Sequence, residues 1–309
     1  MRDLQRTHLD AIVAIGREGS VHAAARSLRR TQPALSRLLN EAETLLGTRI
    51  FERSSAGTRP TALGERLLDE AQFVLAALRR LTSVGAGVRP VIALGCIPRA
   101  MHTLMPLLLE RLYSEEAAFQ PQVAEGSSAA LVEEVARGTL DFAIARHDAA
   151  RPAGDTRLAF DALYQERTVV ICGKRNRAVP ARAPSLAALA RLPWVLPASE
   201  TASRASFERF LHAQRAGPIV PVIEARSFES NLAIVAGSSH FLSIAPEPIA
   251  RRHAVLGGLR IVNLPRGLPA SRIALVYTRH GGADPILAEF REIVREVAAL
   301  LRRSTVARK

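Results

Sequence analysis

The 309-residue sequence predicts a multi-domain chain: a small all-α head with a two-stranded wing, a long linker helix, then a larger α/β domain built as two units. Three observations predict it. Up to Arg80 the apolar residues recur at helical spacing, interrupted once by the short segment TRIFERSSAGTRPT. The stretch Ser83-Val84-Gly85-Ala86-Gly87-Val88-Arg89-Pro90 then breaks the pattern. Beyond it, apolar strand-like runs alternate with helical ones, the rhythm of a sheet with helices on its faces.

Bulk properties narrow the classes. The chain is too long for one typical core, and 48% hydrophobic residues suffice for several. A formal charge of +13 points to an acidic partner, nucleic acid before a membrane surface. Part of that charge is compositional, since Lys174 and Lys309 are the only lysines and the remaining cations are Arg. Cys96 and Cys172 sit in apolar runs and are expected as buried free thiols rather than a disulfide. No apolar run approaches the ~18 residues of a membrane span, and Ala11 to Ile15 is too short for a signal peptide, so a soluble, cytoplasmic protein is expected.

Within the head, Leu9, Ile12, Val13 and Ile15 share a helix face that ends at Gly19. Ser20 is an N-cap for a second helix, Val21 to Leu28, whose small Ala23-Ala24-Ala25 core lets another helix cross closely. After a short break at Arg29-Arg30, Thr31 can cap a third helix with Pro33 in its first turn. There Leu35, Leu38, Leu39 and Ala42 form the buried stripe, while Gln32, Ser36 and Asn40, flanked by Pro33 and Arg37, form a polar face able to reach base edges. The pair is either a helix-turn-helix or an ordinary αα-hairpin with a solvated face. Seven Arg against three Glu between Ser20 and Thr61 favour the former. The segment after Gly47 reads as a β-wing that turns Arg53 and Arg59 toward a phosphate backbone.

The run GSVHAAARSLRRTQPALSRLLNEAETLLGTRIFER, followed by PTALGERLL, resembles the winged helix-turn-helix of the LysR-type transcriptional regulators. Ala42 and Pro60 stand where that family usually or often has Leu, and neither touches the reading face. The resemblance implies that Gln32, Pro33, Ser36 and Arg37 meet the major groove of an operator and that Arg53 meets a phosphate. Asn40 and Arg59 complete the expected interface.

Thr61 can cap the next helix, in which Leu63, Leu67, Leu68, Ala71, Val74, Leu75 and Leu78 mark one apolar face. A long helix with one such stripe needs a partner, and a second copy is the simplest. The resemblance implies the same: paired linker helices make a homodimer, further pairing of dimers makes a homotetramer, and two reading helices imply a roughly palindromic operator. Dimerisation is therefore assigned to Leu67, Leu68, Ala71, Val74, Leu75 and Leu78.

In the larger domain strands are expected at 91–96, 122–126, 141–145, 167–172, 194–197, 222–225, 241–246 and 272–278. Helices are expected at 101–113, 129–137, after Ser185, at 203–214, at 230–236 and from Pro285 to Arg302. The segments GTLDFAIAR and SFESNLAIVAGSSHFLSIAP resemble the LysR-type effector domain, which is similar to periplasmic binding proteins of type 2. The expected boundaries are 1–60 for the head, 61–88 for the linker helix and 89–309 for the effector domain. Within it, subdomain I takes 89–162 and 264–309, and subdomain II takes 163–263, joined by two crossovers. A small-molecule effector is expected between them, outside the carboxyl ends of strands, where helix N-termini present free N–H groups. Arg99, Ser127, Ser128, Thr201 and Ser203 are the candidate contacts, with Arg204 a second source of charge. Ser128 and Ser203 align with positions that commonly contact effectors in the family. Arg99 stands where a small polar residue is usual, and in the cleft it would suggest an anionic effector, with a polyol or sugar as the other option.

Nothing supports an enzyme or a cofactor. The eight histidines lack metal-ligand spacing, no nucleophile or phosphate-loop motif occurs, and His147-Asp148 and His240 read as loop or surface residues. A stand-alone solute-binding protein is the competing class, opposed by the first ninety residues.

Overall fold

A computed structural model describes residues 3–54, 57–85, 88–115, 117–147, 157–180, 182, 184–225, 228–279 and 284–306. The centre of the wing turn, the centre of the linker break and Asp148 lie outside the described residues.

The head follows its capping chemistry. Helix α1 (Arg6–Glu18) ends where Gly19 takes φ +63, a left-handed conformation that needs no Cβ. Helix α2 (Val21–Ser27) starts at Ser20, whose hydroxyl accepts from Ala23 N at 3.4 Å. Arg29, at φ +52, makes the sharp turn into α3 (Gln32–Leu46). Thr31 occupies the N-cap position of α3, but its side chain makes no capping bond, so Pro33 in the first turn is the effective start signal. Leu35, Leu39 and Ala42 are buried with Ile12, Ile15, Ala24 and Ala25, and Leu38 packs on the edge of that core.

Strands β1 (Phe51–Ser54) and β2 (Gly57–Pro60) form the expected antiparallel wing, with Phe51 opposite Pro60. Glu43 fixes the wing to the end of α3 by accepting from Ile50 N at 2.7 Å and Phe51 N at 3.2 Å. Thr61 caps α4 (Ala62–Gly85) by accepting from Gly64 N at 2.9 Å, and it donates to Arg49 O at 3.0 Å. Gly64 is required there, because a Cβ would lie 1.9 Å from the Ile50 carbonyl oxygen.

The linker stripe is divided. Leu68 and Ala71 are buried in the head's own core, with Leu68 packed on Gly16 of α1, and Leu75 is buried as well. Assigning all six residues to a subunit interface therefore needs correction: Leu68, Ala71 and Leu75 are already covered within one chain. Val74 is exposed, Leu67 and Leu78 are half-buried, and Leu63 and Leu81 beside them are exposed.

The α/β domain holds two lobes on shared strands. In the first, parallel β3 (Val91–Cys96) lies between β4 (Gln120–Glu125) and β5 (Phe142–Arg146), and β11 (Ala270–Thr278) adds antiparallel to β5. Helices α5 (Pro98–Thr103), α6 (Met105–Ser114), α7 (Ser128–Ala136) and α12 (Pro285–Val306) cover this sheet. The single helix expected at 101–113 is thus two, starting at Pro98 and broken at Leu104.

The strand expected at 167–172 is the end of β6 (Leu158–Gly173), a 16-residue element. Its first half pairs with β11 and its second with β9 (Leu242–Pro246) and β10 (Leu259–Val262). Leu163 and Tyr164 pack in the first lobe's core, while Val170, Ile171 and Cys172 pack in the second's. A boundary at 163 therefore falls inside one continuous strand. Strands β7 (Val195–Pro197) and β8 (Ile223–Ala225) pair in parallel, and α8 (Leu186–Leu189), α9 (Ala202–Ala213), α10 (Phe228–Ala236) and α11 (Glu247–Val255) complete the second lobe. Helix α11 and strand β10 were not expected from the sequence.

The head and the larger domain touch through α4. Gln72 Nε2 donates to the Arg137 carbonyl at the end of α7 at 3.0 Å, and Arg157 Nη1 pairs with Asp69 Oδ1 at 3.2 Å. No helix among the described residues is long and apolar enough to cross a membrane.

Candidate nucleic-acid interface and inter-lobe cleft

Two surfaces carry the expected site residues. On the first, Gln32, Pro33, Arg37 and Asn40 are exposed along α3 and Ser36 is half-buried among them. Helical geometry explains the grouping, because positions four apart share a face. The fold uses none of these side chains for packing. Arg37 alone is engaged, its Nε 3.0 Å from Glu41 Oε1 one turn on. Arg37 and then His8 hold the Glu41 carboxyl below its usual range through hydrogen bonds. Glu41 is thereby a local counter-charge to Arg37. Arg59 is exposed on β2, opposite Glu52. The Arg53 side chain lies outside the described part of the chain.

The second surface lies at the carboxyl ends of β3, β4 and β5, where both lobes meet. The main chain there is tied together by Ile97 N to Ile144 O at 3.1 Å and Gly126 N to Cys96 O at 3.2 Å. Helix α5 starts at Pro98, so Arg99 points from the first lobe into the junction. Its Nη1 lies 3.1 Å from Glu166 Oε2, and its Nη2 donates to Ser203 Oγ of the second lobe at 3.4 Å. Arg99, Arg146 and Glu166 are all buried. Burial pushes the Glu166 carboxyl up to about 7, against the pull of Arg99 and Arg146. Beside it Tyr164 shares a hydrogen bond of 3.1 Å with Thr103.

The remaining candidates divide by what their hydroxyls already do. Ser128 Oγ is buried and accepts from Arg146 N at 3.2 Å, which leaves its proton free to donate. Ser127 is an ordinary N-cap for α7, accepting from Ala130 N at 3.3 Å. Thr201 caps α9 by accepting from Arg204 N and donates to Ala198 O at 2.8 Å. Ser127 and Thr201 thus serve as helix caps, and the Ser127 hydroxyl, like that of Ser128, keeps a proton to donate. Arg204 is buried and held by Glu208 at 2.7 Å, Glu224 at 3.0 Å and the Pro197 carbonyl at 3.2 Å. It braces the second lobe.

Sequence reasoning missed Glu166, Arg146 and a second clasp across the junction, in which His102 of α5 meets Glu229 of α10 at 3.0 Å and the Phe228 ring at 5.5 Å. A signal for Glu166 existed. In YQERTVVIC the period-two alternation puts it on the buried face with Tyr164, an acid where an apolar residue belongs. Among the described residues no cluster of His, Cys, Asp or Glu could hold a metal.

Comparison with known proteins supplies an independent view. A family profile described as "Bacterial regulatory helix-turn-helix protein, lysR family" matches residues 7–65, and one described as "LysR substrate binding domain" matches 85–299. The regulator PcaQ of Agrobacterium fabrum is 29% identical over 70% of this chain and 70% of its own. A probable hydrogen peroxide-inducible genes activator of Mycobacterium avium is 26% identical over 94% of this chain and 93% of its own. Among solved structures, ArgP from Mycobacterium tuberculosis superposes with a TM-score of 0.69 at 18% identity over 94% of this chain and 96% of that one. Full-length OxyR from Pseudomonas aeruginosa gives 0.65 at 21% identity over 97% and 96%.

Proposed function

The chain belongs to the LysR family of bacterial transcriptional regulators, and from that premise we propose how its two surfaces divide the work. Helix α3 enters the major groove with Gln32, Pro33, Ser36, Arg37 and Asn40 toward base edges, while Arg53 and Arg59 on the wing hold phosphates. One observation carries this reading: the face bearing these side chains is exposed and contributes nothing to the head's core. Two copies pair through the part of α4 that stays uncovered, at Leu67, Val74 and Leu78, and two such pairs make a tetramer. The working compartment is the cytoplasm.

The junction between the lobes binds the effector, an anionic metabolite or sugar, through Arg99, Ser128 and Ser203. Binding shifts the lobes relative to each other and so alters how the paired heads sit on DNA. Thiol oxidation is not the input we propose. Cys96 and Cys172 are both buried, and burial pushes the Cys96 thiol up to about 12, so little thiolate is available to an oxidant at neutral pH.

Footprinting on the upstream intergenic DNA tests the reading head. Protection is expected with the native protein and is lost with Arg37→Ala at moderate salt; protection indifferent to Arg37 removes the specific-readout claim. For pairing, light scattering at micromolar concentration should report a dimer or larger, and a monomer defeats it.

A further inference from the structure

The inter-lobe junction has a hydrogen-bonding deficit that restricts what can bind there. Glu166 is 3% exposed, yet neither of its carboxylate oxygens receives an aligned hydrogen bond; nor does Arg99 Nη1 make one, although it lies at ion-pair distance. Asn231 is 2% exposed with both amide atoms unpartnered. It sits one turn along α10 from Phe228, whose ring meets His102 of α5. Buried polar groups are ordinarily satisfied, so such a concentration is unusual and costly. The unsatisfied atoms are of both kinds: acceptors on Glu166 and Asn231, donors on Arg99 and Asn231.

That mixture discriminates among ligands. A simple carboxylate draws Arg99 away from Glu166, which then keeps only the pull of Arg146 and still receives no hydrogen bond at either oxygen. A simple cation satisfies Glu166 and strands Arg99. A neutral polyol can bond to either, but bonds between opposite charges are roughly twice as strong as neutral ones. A ligand with a carboxylate on one atom and a donor on the adjacent carbon meets both groups; an ammonium leaves the junction's charge unchanged, whereas a hydroxyl donates to Glu166 while adding one negative charge. Ser128, with a free hydroxyl proton, and Ser203, at the first turn of α9, supply further contacts for the carboxylate end.

We propose that the effector is a small carboxylic acid bearing a donor next to its carboxylate, an α-amino or α-hydroxy acid, inserted between Arg99 and Glu166. Its carboxylate takes the Arg99 guanidinium and its ammonium or hydroxyl donates to Glu166. Insertion separates Arg99 from Glu166, and because Arg99 also reaches Ser203 of the opposite lobe, insertion is felt by both lobes. The proposal rests on the junction being the effector site.

The test uses the full-length protein and matched triplets: the twenty L-amino acids, their α-hydroxy counterparts and the same acids lacking either group. Thermal-shift screening precedes calorimetry on the hits. At least one acid with a donor should bind on the order of tenfold or more tighter than its unsubstituted counterpart, since a site built to receive a donor rejects the analogue lacking it. Arg99→Gln should lose binding of all three, whereas Glu166→Gln should keep the carboxylate contact and lose most of the preference. Retained operator binding shows that the variants fold. Unsubstituted acids binding equally well, or a preference that survives Glu166→Gln, overturns the ligand class. A sugar or other compound that shifts the native protein but not Ser203→Ala also overturns the class, while the effector site stands. A hit indifferent to both Arg99→Gln and Ser203→Ala, or no shift from any compound, counts against the site as well.

Discussion

The reading head and the inter-lobe junction present polar side chains in opposite ways. On α3 the polar residues are surplus to the fold: Leu35, Leu39 and Ala42 do the packing, and Gln32, Arg37 and Asn40 stand clear of it. In the junction several polar side chains already serve the fold. Ser127 and Thr201 cap helices, Ser128 holds the Arg146 amide, and Arg99 is divided between Glu166 and Ser203. An exposed polar face on an otherwise amphipathic helix can be read as a site directly. A buried polar residue must first be asked which main-chain group it serves.

Substitutions can break this contrast, and the largest effect belongs to the head's frame. Gly64→Ala drives a methyl group into the Ile50 carbonyl, and stability of the head should fall by about 3 kcal/mol, seen as an early thermal transition with loss of operator binding. A native-like melting profile in that variant would mean the wing is free to move away from α4.

Next comes Glu166. Its folded-state pKa is raised above the ordinary 4.5. The folded chain therefore keeps a proton that the unfolded chain has released. That contribution to stability is fully present below pH 4.5 and is lost as pH climbs through about 7. Glu166→Gln should flatten the decline by an amount on the order of 2–3 kcal/mol across that window, measured by denaturant unfolding at pH 5 and pH 8. An unchanged slope would remove Glu166 as its source.

Arg37→Ala should weaken operator binding by about 2 kcal/mol, roughly thirtyfold, with no change in melting temperature, because only the exposed bridge to Glu41 is lost from the folded protein. Ser127→Ala sets the smallest mark: a loss of about 1 kcal/mol from the missing cap, with effector affinity unchanged. Were Ser127→Ala to cost affinity without stability, the two surfaces would be more alike than the geometry says.

The head was legible almost residue by residue because its signals are local. Gly19, Ser20, Pro33, Gly47 and Thr61 each mark a helix end through backbone within four residues of their own position, and their order spells the helix ends. The α/β domain yielded its rhythm but not its joints. Strand β6 was expected only from Arg167 onward, since LAFDALYQE carries charges that interrupt an apolar run. Those charges are tolerated because they serve partners far along the chain, as Asp161 does for Arg295 at 2.8 Å. The same non-locality hid Glu166, whose partner lies 67 positions earlier at Arg99. The linker stripe shows a third kind of limit: Leu67, Leu68 and Ala71 share one periodicity, and only the position of α1 decides which of them is spent inside the chain.

Helix α7 joins these two differently legible regions. Its first residue, Ser128, is bonded at the junction, and the carbonyl just past its last turn, on Arg137, receives Gln72 of α4. At 1.5 Å per residue this is a strut about 13 Å long, and an α-helix hardly compresses. Behind it Gly138 takes φ +67, and a methyl group there would lie 2.9 Å from the end of the Gln72 side chain. A displacement of the strut's inner end would reach the helix that carries the reading head through this one contact between Gln72 and the Arg137 carbonyl.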